Sequence, residues 1–219
     1  MKIDKILLDL IKESHTKAVD LYSPIFVNDN LYKENAMRGF KQQLDGRISL
    51  FPKDFHNESI LDVGCNTGFN ALYLKKYHNA GKVLGVDTEN NLLPIWERIL
   101  YLEDLNNIDF ALPENVKDKY DNILILSITG KQDWYSITIK NLLDKYLPYT
   151  NKYIYVEPTN HEGNDKEIIK DEYMGYFSNW GQVEFLGYTD YQNRGLFKID
   201  VTKKSKLEMG YNYFATKIF

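Results

Sequence analysis

At 219 residues the chain is long enough for one compact domain with additions, whereas two complete domains would each be small. Apolar residues make up 43% of the sequence and charged residues 26%, which is the composition of an ordinary globular protein and excludes a disordered or collagen-like chain. With 27 Lys and Arg against 31 Asp and Glu, the formal net charge of -4 excludes an overall positive field of the kind that attracts nucleic acid.

The cysteine count, the histidine spacing and the short apolar runs predict where the protein is found and whether it binds a metal. The single cysteine, Cys65, cannot form an internal disulfide or a multi-thiolate zinc site, which suits a reducing compartment. The early apolar run at residues 6–8 is too short and too close to charged residues for a signal peptide or a membrane span. His15, His56 and His78 lack the spacing of metal ligands. We therefore expect a cytoplasmic protein with no metal site and no membrane partner.

The N-terminal part of the chain has the pattern of two helices. Between residues 3 and 21 apolar residues recur three and four positions apart, which predicts an amphipathic helix. A second, more polar helix is predicted over residues 31–44, and the pair Asp45-Gly46 is expected to end it.

From residue 59 onward, short apolar runs alternate with helical stretches. The predicted strands cover residues 59–63, 82–86, 108–110, 122–126 and 153–156, and the predicted helices between them cover 69–77, 91–105 and 133–146. The pattern then predicts a helix over 166–177, two strands over 183–188 and 196–201, and a last extended segment over 211–218. This order predicts a Rossmann-like, doubly wound α/β sheet that is mostly parallel, with an antiparallel C-terminal hairpin.

The first of these strands runs into a glycine-containing turn that opens a helix. Gly64 and Gly68 have no Cβ, so the backbone can approach a ligand closely there, and the following helix offers unpaired N–H groups. Asn66 stands where such loops often carry another glycine, and asparagine is among the few other residues that tolerate a positive φ. The context of strand, turn and helix predicts a binding loop for a nucleoside-containing ligand.

An acidic residue completes the pattern. Asp87 lies 19 residues beyond Gly68, at the end of the second predicted strand, where a carboxylate can accept both hydroxyls of a ribose. Dinucleotide enzymes share this arrangement, but two details differ from theirs. Asp62 lies inside the first strand, and the loop reads Gly-Cys-Asn-Thr-Gly instead of Gly-x-Gly-x-x-Gly.

From residue 59 to residue 157 the sequence resembles the class I S-adenosylmethionine-dependent methyltransferases, whose first motif is an acidic residue, one spacer and alternating glycines. The resemblance implies S-adenosylmethionine (AdoMet) as the cofactor. It places the methionine part of AdoMet against the loop, at Asp62, Gly64, Cys65, Asn66 and Gly68, and its ribose at Asp87. The adenine contact falls within residues 110–115, where the pattern is too irregular to place it.

The same resemblance suggests roles for residues outside the loop. Ser127, after the fourth strand, is expected to face the sulfonium and the entering substrate. Arg47 is a candidate partner for the methionine carboxylate, or else an exposed surface arginine. Glu157 and His161 are the candidate catalytic acid-base groups after the fifth strand, with Glu162 beside them, unless they only end a strand and occupy a surface loop.

The N-terminal residues 1–50 are expected to form a helical lid and substrate-recognition segment, and residues 51–219 the methyltransferase domain. The Asp-Val-Gly-Cys-Asn stretch is also similar to tRNA wobble-uridine and small-RNA methylphosphate-capping methyltransferases. A small-molecule acceptor is favoured by the acidic charge balance. The alternatives are an RNA acceptor, a non-catalytic cofactor-binding or scaffold protein of the same fold, and an NAD-dependent oxidoreductase.

Overall fold

A computed structural model of the chain describes residues 4–17, 20–33, 39–130, 137–159, 166–190 and 194–203, with 166–169 described by their backbone. The chain divides into two compact units, Met1–Asp118 and Lys119–Phe219. The predicted boundary after residue 50 falls inside the first unit and remains a prediction.

The described elements follow the predicted alternation of strands and helices. The helices are α1 (Lys5–Thr16), α2 (Phe40–Gly46), α3 (Phe69–Tyr77), α4 (Leu93–Glu103), α5 (Ile139–Tyr146) and α6 (Lys166–Phe177). The strands are β1 (Ile25–Val27), β2 (Asn30–Lys33), β3 (Ile60–Val63), β4 (Val83–Val86), β5 (Ile108–Ala111), β6 (Tyr120–Leu126), β7 (Thr150–Glu157), β8 (Gln182–Tyr188) and β9 (Gly195–Asp200). The seven-stranded sheet has the order β5-β4-β3-β6-β7-β9-β8, which confirms the predicted α/β class.

In the first unit β3, β4 and β5 are parallel neighbours. All residues of β3 and β4 are buried, because helices cover both faces of such a sheet and leave no solvent-facing alternation. Parallel strands bring their carboxyl ends to one edge of the sheet, so the residues that follow β3 and β4 lie side by side there. The glycine loop and Asp87 occupy that edge.

The N-terminal region of the same unit differs from the prediction. Helix α1 begins where the Asp4 side chain accepts the Leu7 N–H at 2.8 Å, and it ends at Thr16, earlier than predicted. The helix predicted over 31–44 is wrong in its first part, because β1 and β2 form an antiparallel hairpin there. Asn28 and Asp29 turn it with φ values of 47° and 60°, a pair of left-handed residues that matches the twist of a two-residue hairpin. Among the described residues of that range, helical structure begins with α2 at Phe40.

In the second unit β6 and β7 are parallel, while β9 runs antiparallel to both β7 and β8. The predicted antiparallel hairpin is therefore confirmed. Helix α5 begins at Ile139, after a capping box formed by Thr138 and Asn141. It was predicted over residues 133–146, so among the described residues the helix starts later than expected. The extended segment predicted over 211–218 lies outside the described residues.

No helix among the described residues is both long and apolar enough to cross a membrane.

Candidate functional site

The turn after β3 has the conformation that its sequence predicts. Gly64, Asn66 and Gly68 all have positive φ, at 68°, 50° and 81°. The N–H groups of Gly64 and Cys65 donate to the Val86 carbonyl at 2.8 and 3.0 Å, which holds the start of the turn against the end of β4. Asn66 thus adopts the left-handed conformation at a position where such loops often carry glycine, and the turn is kept, as expected.

Asp87 lies against this turn. One of its carboxylate oxygens accepts the Asn66 N–H at 2.8 Å, and the other accepts the Glu89 N–H at 3.3 Å. A carboxylate has about four acceptor positions, so these two bonds leave capacity for hydroxyl donors. The side chain is also partly exposed, so a ligand can reach it. The structure therefore brings the predicted loop and the predicted acid together.

Asp62 is a buried carboxyl group beneath the loop. Its side chain is only 1% exposed, and its Oδ2 has no hydrogen-bond partner among the described residues. Burial raises the pKa of Asp62 to about 7, against the lowering effects of the Arg47 charge and the Ala71 backbone N–H. An acceptor atom left without a donor in the interior costs free energy, so a ligand that donates to it gains affinity.

Arg47 lies at the C-terminal end of α2, and its burial rules out the predicted alternative of an exposed surface arginine, while its role toward a ligand carboxylate stays a prediction. It is 4% exposed and its charge acts on Asp62, so it is not a surface arginine. Phe40, on the same helix, contacts the Phe69 ring at the start of α3 with 5.8 Å between centroids, which brings α2 beside the loop. A buried guanidinium beside a buried carboxyl suits a zwitterionic ligand group.

Cys65 contributes no reactive thiol to this site. Its side chain is 2% exposed, and burial, with smaller contributions from Asp62 and Asp87, raises the pKa of the thiol well above its ordinary value. Its role in cofactor binding stays a prediction.

The Phe110 ring explains why residue 68 is glycine. A Cβ at Gly68 or at Gly85 would overlap this ring, which is buried and stacks on Trp96 with 5.5 Å between centroids. Trp96 in turn donates its indole N–H to the Asn66 carbonyl at 2.7 Å. The close packing of β5 and α4 under the loop therefore requires glycine at residue 68, in addition to the turn's positive φ.

We expect Gly68→Ala to lower the free energy of unfolding by about 3 kcal/mol, because it combines a left-handed backbone with overlap of the buried Phe110 ring. Urea denaturation measures this loss. Phe110→Leu should relieve part of it in the double variant, whereas equal losses in the two backgrounds would show that the ring is not the cause.

The predicted residues of the second unit form their own cluster. Ser127 follows β6 with φ of 60°, and its hydroxyl donates to Glu157 Oε1 at 2.8 Å. The Thr189 hydroxyl donates to the same oxygen at 3.3 Å. Glu157 is 0% exposed, so its carboxylate joins the ends of β6, β7 and β8, a geometry that favours a positioning role over direct proton transfer.

His161 and Glu162, the other candidate acid-base residues, lie outside the described residues. Among the residues that are described, no group of three or more His, Cys, Asp or Glu side chains could hold a metal ion.

Two features of the site were not predicted from sequence. One is the stack of Trp96 and Phe110 under the loop. The other is that Asn66 and Thr67 bind residues near 20–24 of the chain. Both depend on contacts between distant parts of the sequence, and neither has a local signal.

No family model matches this chain. Several solved structures are similar to it. M. jannaschii TYW2 in complex with AdoMet aligns at a TM-score of 0.54 with 15% identity, covering 81% of this chain and 84% of that one. Trm5b from Pyrococcus abyssi aligns at 0.52 with 17% identity, covering 81% and 55%. Coclaurine N-methyltransferase bound to N-methylheliamine and SAH aligns at 0.42 with 21% identity over 57% of this chain, which spans 39% of that protein's length.

At these identities the likeness establishes the fold. The chain has the Rossmann-like fold of class I S-adenosylmethionine-dependent methyltransferases, with the glycine loop after β3 and an acid after β4.

Proposed function

We propose that this chain is a methyltransferase that uses AdoMet and transfers its methyl group to a small molecule. The observation that carries the proposal is the buried Asp62 carboxyl, whose Oδ2 has no donor within the described part of the chain, next to the buried Arg47 and under a glycine loop. An amino-acid group fits this pair of residues, because its ammonium can donate to Asp62 and its carboxylate is complementary to the charge of Arg47.

The rest of the loop fits a nucleoside. Asp87 has acceptor capacity for two ribose hydroxyls, and it is held in place by the backbone of the loop itself. Gly64 is exposed at the start of the turn with a φ of 68°, so the backbone there is accessible to a ligand. AdoMet joins an amino acid to an adenosine, so one ligand satisfies Asp62, Arg47 and Asp87 together.

NAD fits these residues less well. A dinucleotide places a doubly charged pyrophosphate at the glycine loop. Asp62 would then face negative charge with its acceptor oxygen still unpaired, which is unfavourable in a buried position. The charge of the residues beneath the loop therefore supports AdoMet over NAD.

Bound AdoMet supplies a methyl group activated by a sulfonium. The protein's own contribution is then alignment, which alone accounts for a large share of rate enhancement in a direct displacement. Fixing the amino-acid end at Asp62 and Arg47 and the sugar at Asp87 would hold the ligand on both sides of its sulfonium. Ser127 and His161 keep their proposed roles toward the acceptor, whereas Glu157, which was predicted as an acid-base group, is now proposed to position Ser127 through its buried carboxylate.

The acidic charge balance supports a small-molecule acceptor, because phosphate recognition depends on clustered positive charge. An RNA acceptor is the competing proposal. It requires RNA binding in the micromolar range that weakens steeply with added salt, and the absence of such binding at low salt would count against it.

Arg47→Lys tests the amino-acid end of the proposed site. We expect it to weaken binding of S-adenosylhomocysteine (SAH) by about tenfold, because lysine keeps the charge but loses the two-pronged contact with a carboxylate. Binding of methylthioadenosine, which has the nucleoside and sulfur but no amino acid, should change by less than about twofold. Calorimetric titration of both ligands into the wild type and the variant measures the two effects.

The comparison of ligands separates a local effect from a general one. If Arg47→Lys weakened both ligands equally, the loss would reflect a disturbed loop, and the assignment of Arg47 to the carboxylate would be wrong. Thermal denaturation of the ligand-free variant provides the control for folding.

A further inference from the structure

The Asn66 side chain joins the glycine loop to a segment more than forty residues earlier in the chain. Its Oδ1 accepts the Ser23 N–H at 3.1 Å, and its Nδ2 donates to the Asp20 carbonyl at 2.8 Å. The Asn66 carboxamide therefore makes two hydrogen bonds, one as acceptor and one as donor, to the backbone of residues 20–24. We name this segment the N-terminal strap.

Thr67 adds to the same junction. Its hydroxyl lies 3.1 Å from the Pro24 carbonyl and 3.4 Å from the Ser23 carbonyl, and its side chain is 1% exposed. All these bonds go to the backbone of the strap. The junction therefore depends on the two loop side chains and on the path of the strap, and not on the identity of the strap's side chains.

Asparagine at residue 66 adopts a backbone conformation that favours glycine. Its φ is 50°, a conformation that glycine adopts at less cost than asparagine. The two bonds of the carboxamide to the strap supply the compensating interaction, which glycine could not make.

The backbone of Asn66 connects this junction to the proposed ribose site. Its N–H donates to Asp87 Oδ2 at 2.8 Å, while its carbonyl accepts the Trp96 indole N–H at 2.7 Å. A ligand that fixes the Asp87 carboxylate also fixes the Asn66 backbone. The Asn66 side chain then holds the strap, so ligand and strap are linked through a single residue.

We infer that Asn66 is a positioning residue that makes the N-terminal strap a wall of the AdoMet site, so that ligand binding and ordering of the strap are coupled. This inference rests on the proposed function for the identity of the ligand. It assigns the N-terminal region near residues 20–24 to the cofactor, whereas sequence analysis expected that region to serve as a substrate lid.

Hydrogen exchange of the Ser23 amide reports directly on the junction, because that N–H bonds the Asn66 side chain. In the wild type, SAH should slow this exchange several-fold. Asn66→Gly keeps the positive φ but removes the carboxamide, so Ser23 should exchange faster without ligand and the slowing by SAH should be lost. The affinity for SAH should fall about tenfold.

A matched control is Asn107→Gly, since Asn107 has a φ of 60° in the same unit but is exposed and distant in sequence from the loop. It should leave SAH affinity and Ser23 exchange unchanged. Asn66→Asp retains an acceptor for Ser23 but not the donor for Asp20, and it should keep part of the Ser23 protection that the glycine variant loses.

Two outcomes would overturn the inference, and they differ in what else they refute. SAH binding to the wild type with no change in Ser23 exchange, together with unaltered affinity in Asn66→Gly, would refute the coupling and leave the proposed function intact. Failure of the wild type to bind SAH would refute the proposed function and the coupling together, even if Asn66→Gly speeds Ser23 exchange in the ligand-free protein.

Discussion

Replacing Asp87 with alanine should weaken the binding of SAH by about 100-fold. We propose that the carboxylate accepts two ribose hydroxyls, and a hydrogen bond to a charged acceptor contributes about 1.5 kcal/mol or more, so losing two costs about 3 kcal/mol. Methylthioadenosine should lose affinity to the same extent, because it carries the same ribose. Calorimetric titration of the two ligands measures both losses.

The matched control removes a carboxylate that has no part in the site. Glu97→Ala takes away an exposed acidic side chain on α4, and we expect it to leave both affinities unchanged. Asp87 also holds the N–H groups of Asn66 and Glu89, so Asp87→Asn, which keeps an oxygen acceptor, serves to separate loss of charge from collapse of the loop. Unchanged affinity in Asp87→Ala would remove the basis for the ribose assignment.

SAH affinity should depend on pH through Asp62. Burial raises the pKa of this carboxyl to about 7 in the free protein. An ammonium group bound beside it favours the ionised form, so binding releases a proton whenever the pH lies below that pKa. Affinity is then nearly constant above about pH 8 and falls roughly tenfold on going down to about pH 6. Calorimetry in buffers of different ionisation enthalpy measures the affinity and the proton release.

Asp62→Asn should remove both the pH dependence of SAH affinity and the proton release on binding. The variant should bind SAH about tenfold or more weakly at about pH 8, and its affinity should no longer change with pH in this range. Methylthioadenosine provides the internal control, because it has no ammonium group and its affinity should be independent of pH in both proteins. A pH dependence that persists in Asp62→Asn would assign the titration to another group.

The same pKa has a consequence for folding. Because the folded-state pKa of Asp62 lies above that of an unfolded chain, the folded protein binds the extra proton between about pH 4 and about pH 7. The stabilisation from this group is therefore present at the acidic end of that window and is lost as the pH rises through it. An ammonium ligand offsets this loss by pairing with the ionised carboxylate.

The parts of the site that lie close together in sequence were predictable. A strand, a turn with Gly64 and Gly68, and an acid 19 residues later follow local rules, because the turn needs positive φ and parallel strands end at one edge. The order of strands and helices followed from the same periodicity, and most boundaries agree within a few residues.

The N-terminal region was harder to predict because its sequence contains signals for both a helix and a hairpin. Residues 31–44 are polar with a helical spacing, whereas the deciding feature is the Asn28-Asp29 pair, which turns a hairpin before that segment begins. The burial of Asp62 and Arg47, and the bonds of Asn66 to the strap, depend on packing between distant segments. No local pattern carries that information.

The central claim is that the loop from Gly64 to Gly68, with Asp62 and Asp87, binds an adenosine that carries an amino acid. Calorimetric titration of the wild-type protein with SAH, methylthioadenosine and NAD tests it most directly. We predict that SAH binds, that methylthioadenosine binds more weakly because it lacks the amino-acid end, and that NAD gives no heat of binding. Binding of NAD without binding of SAH would contradict the account.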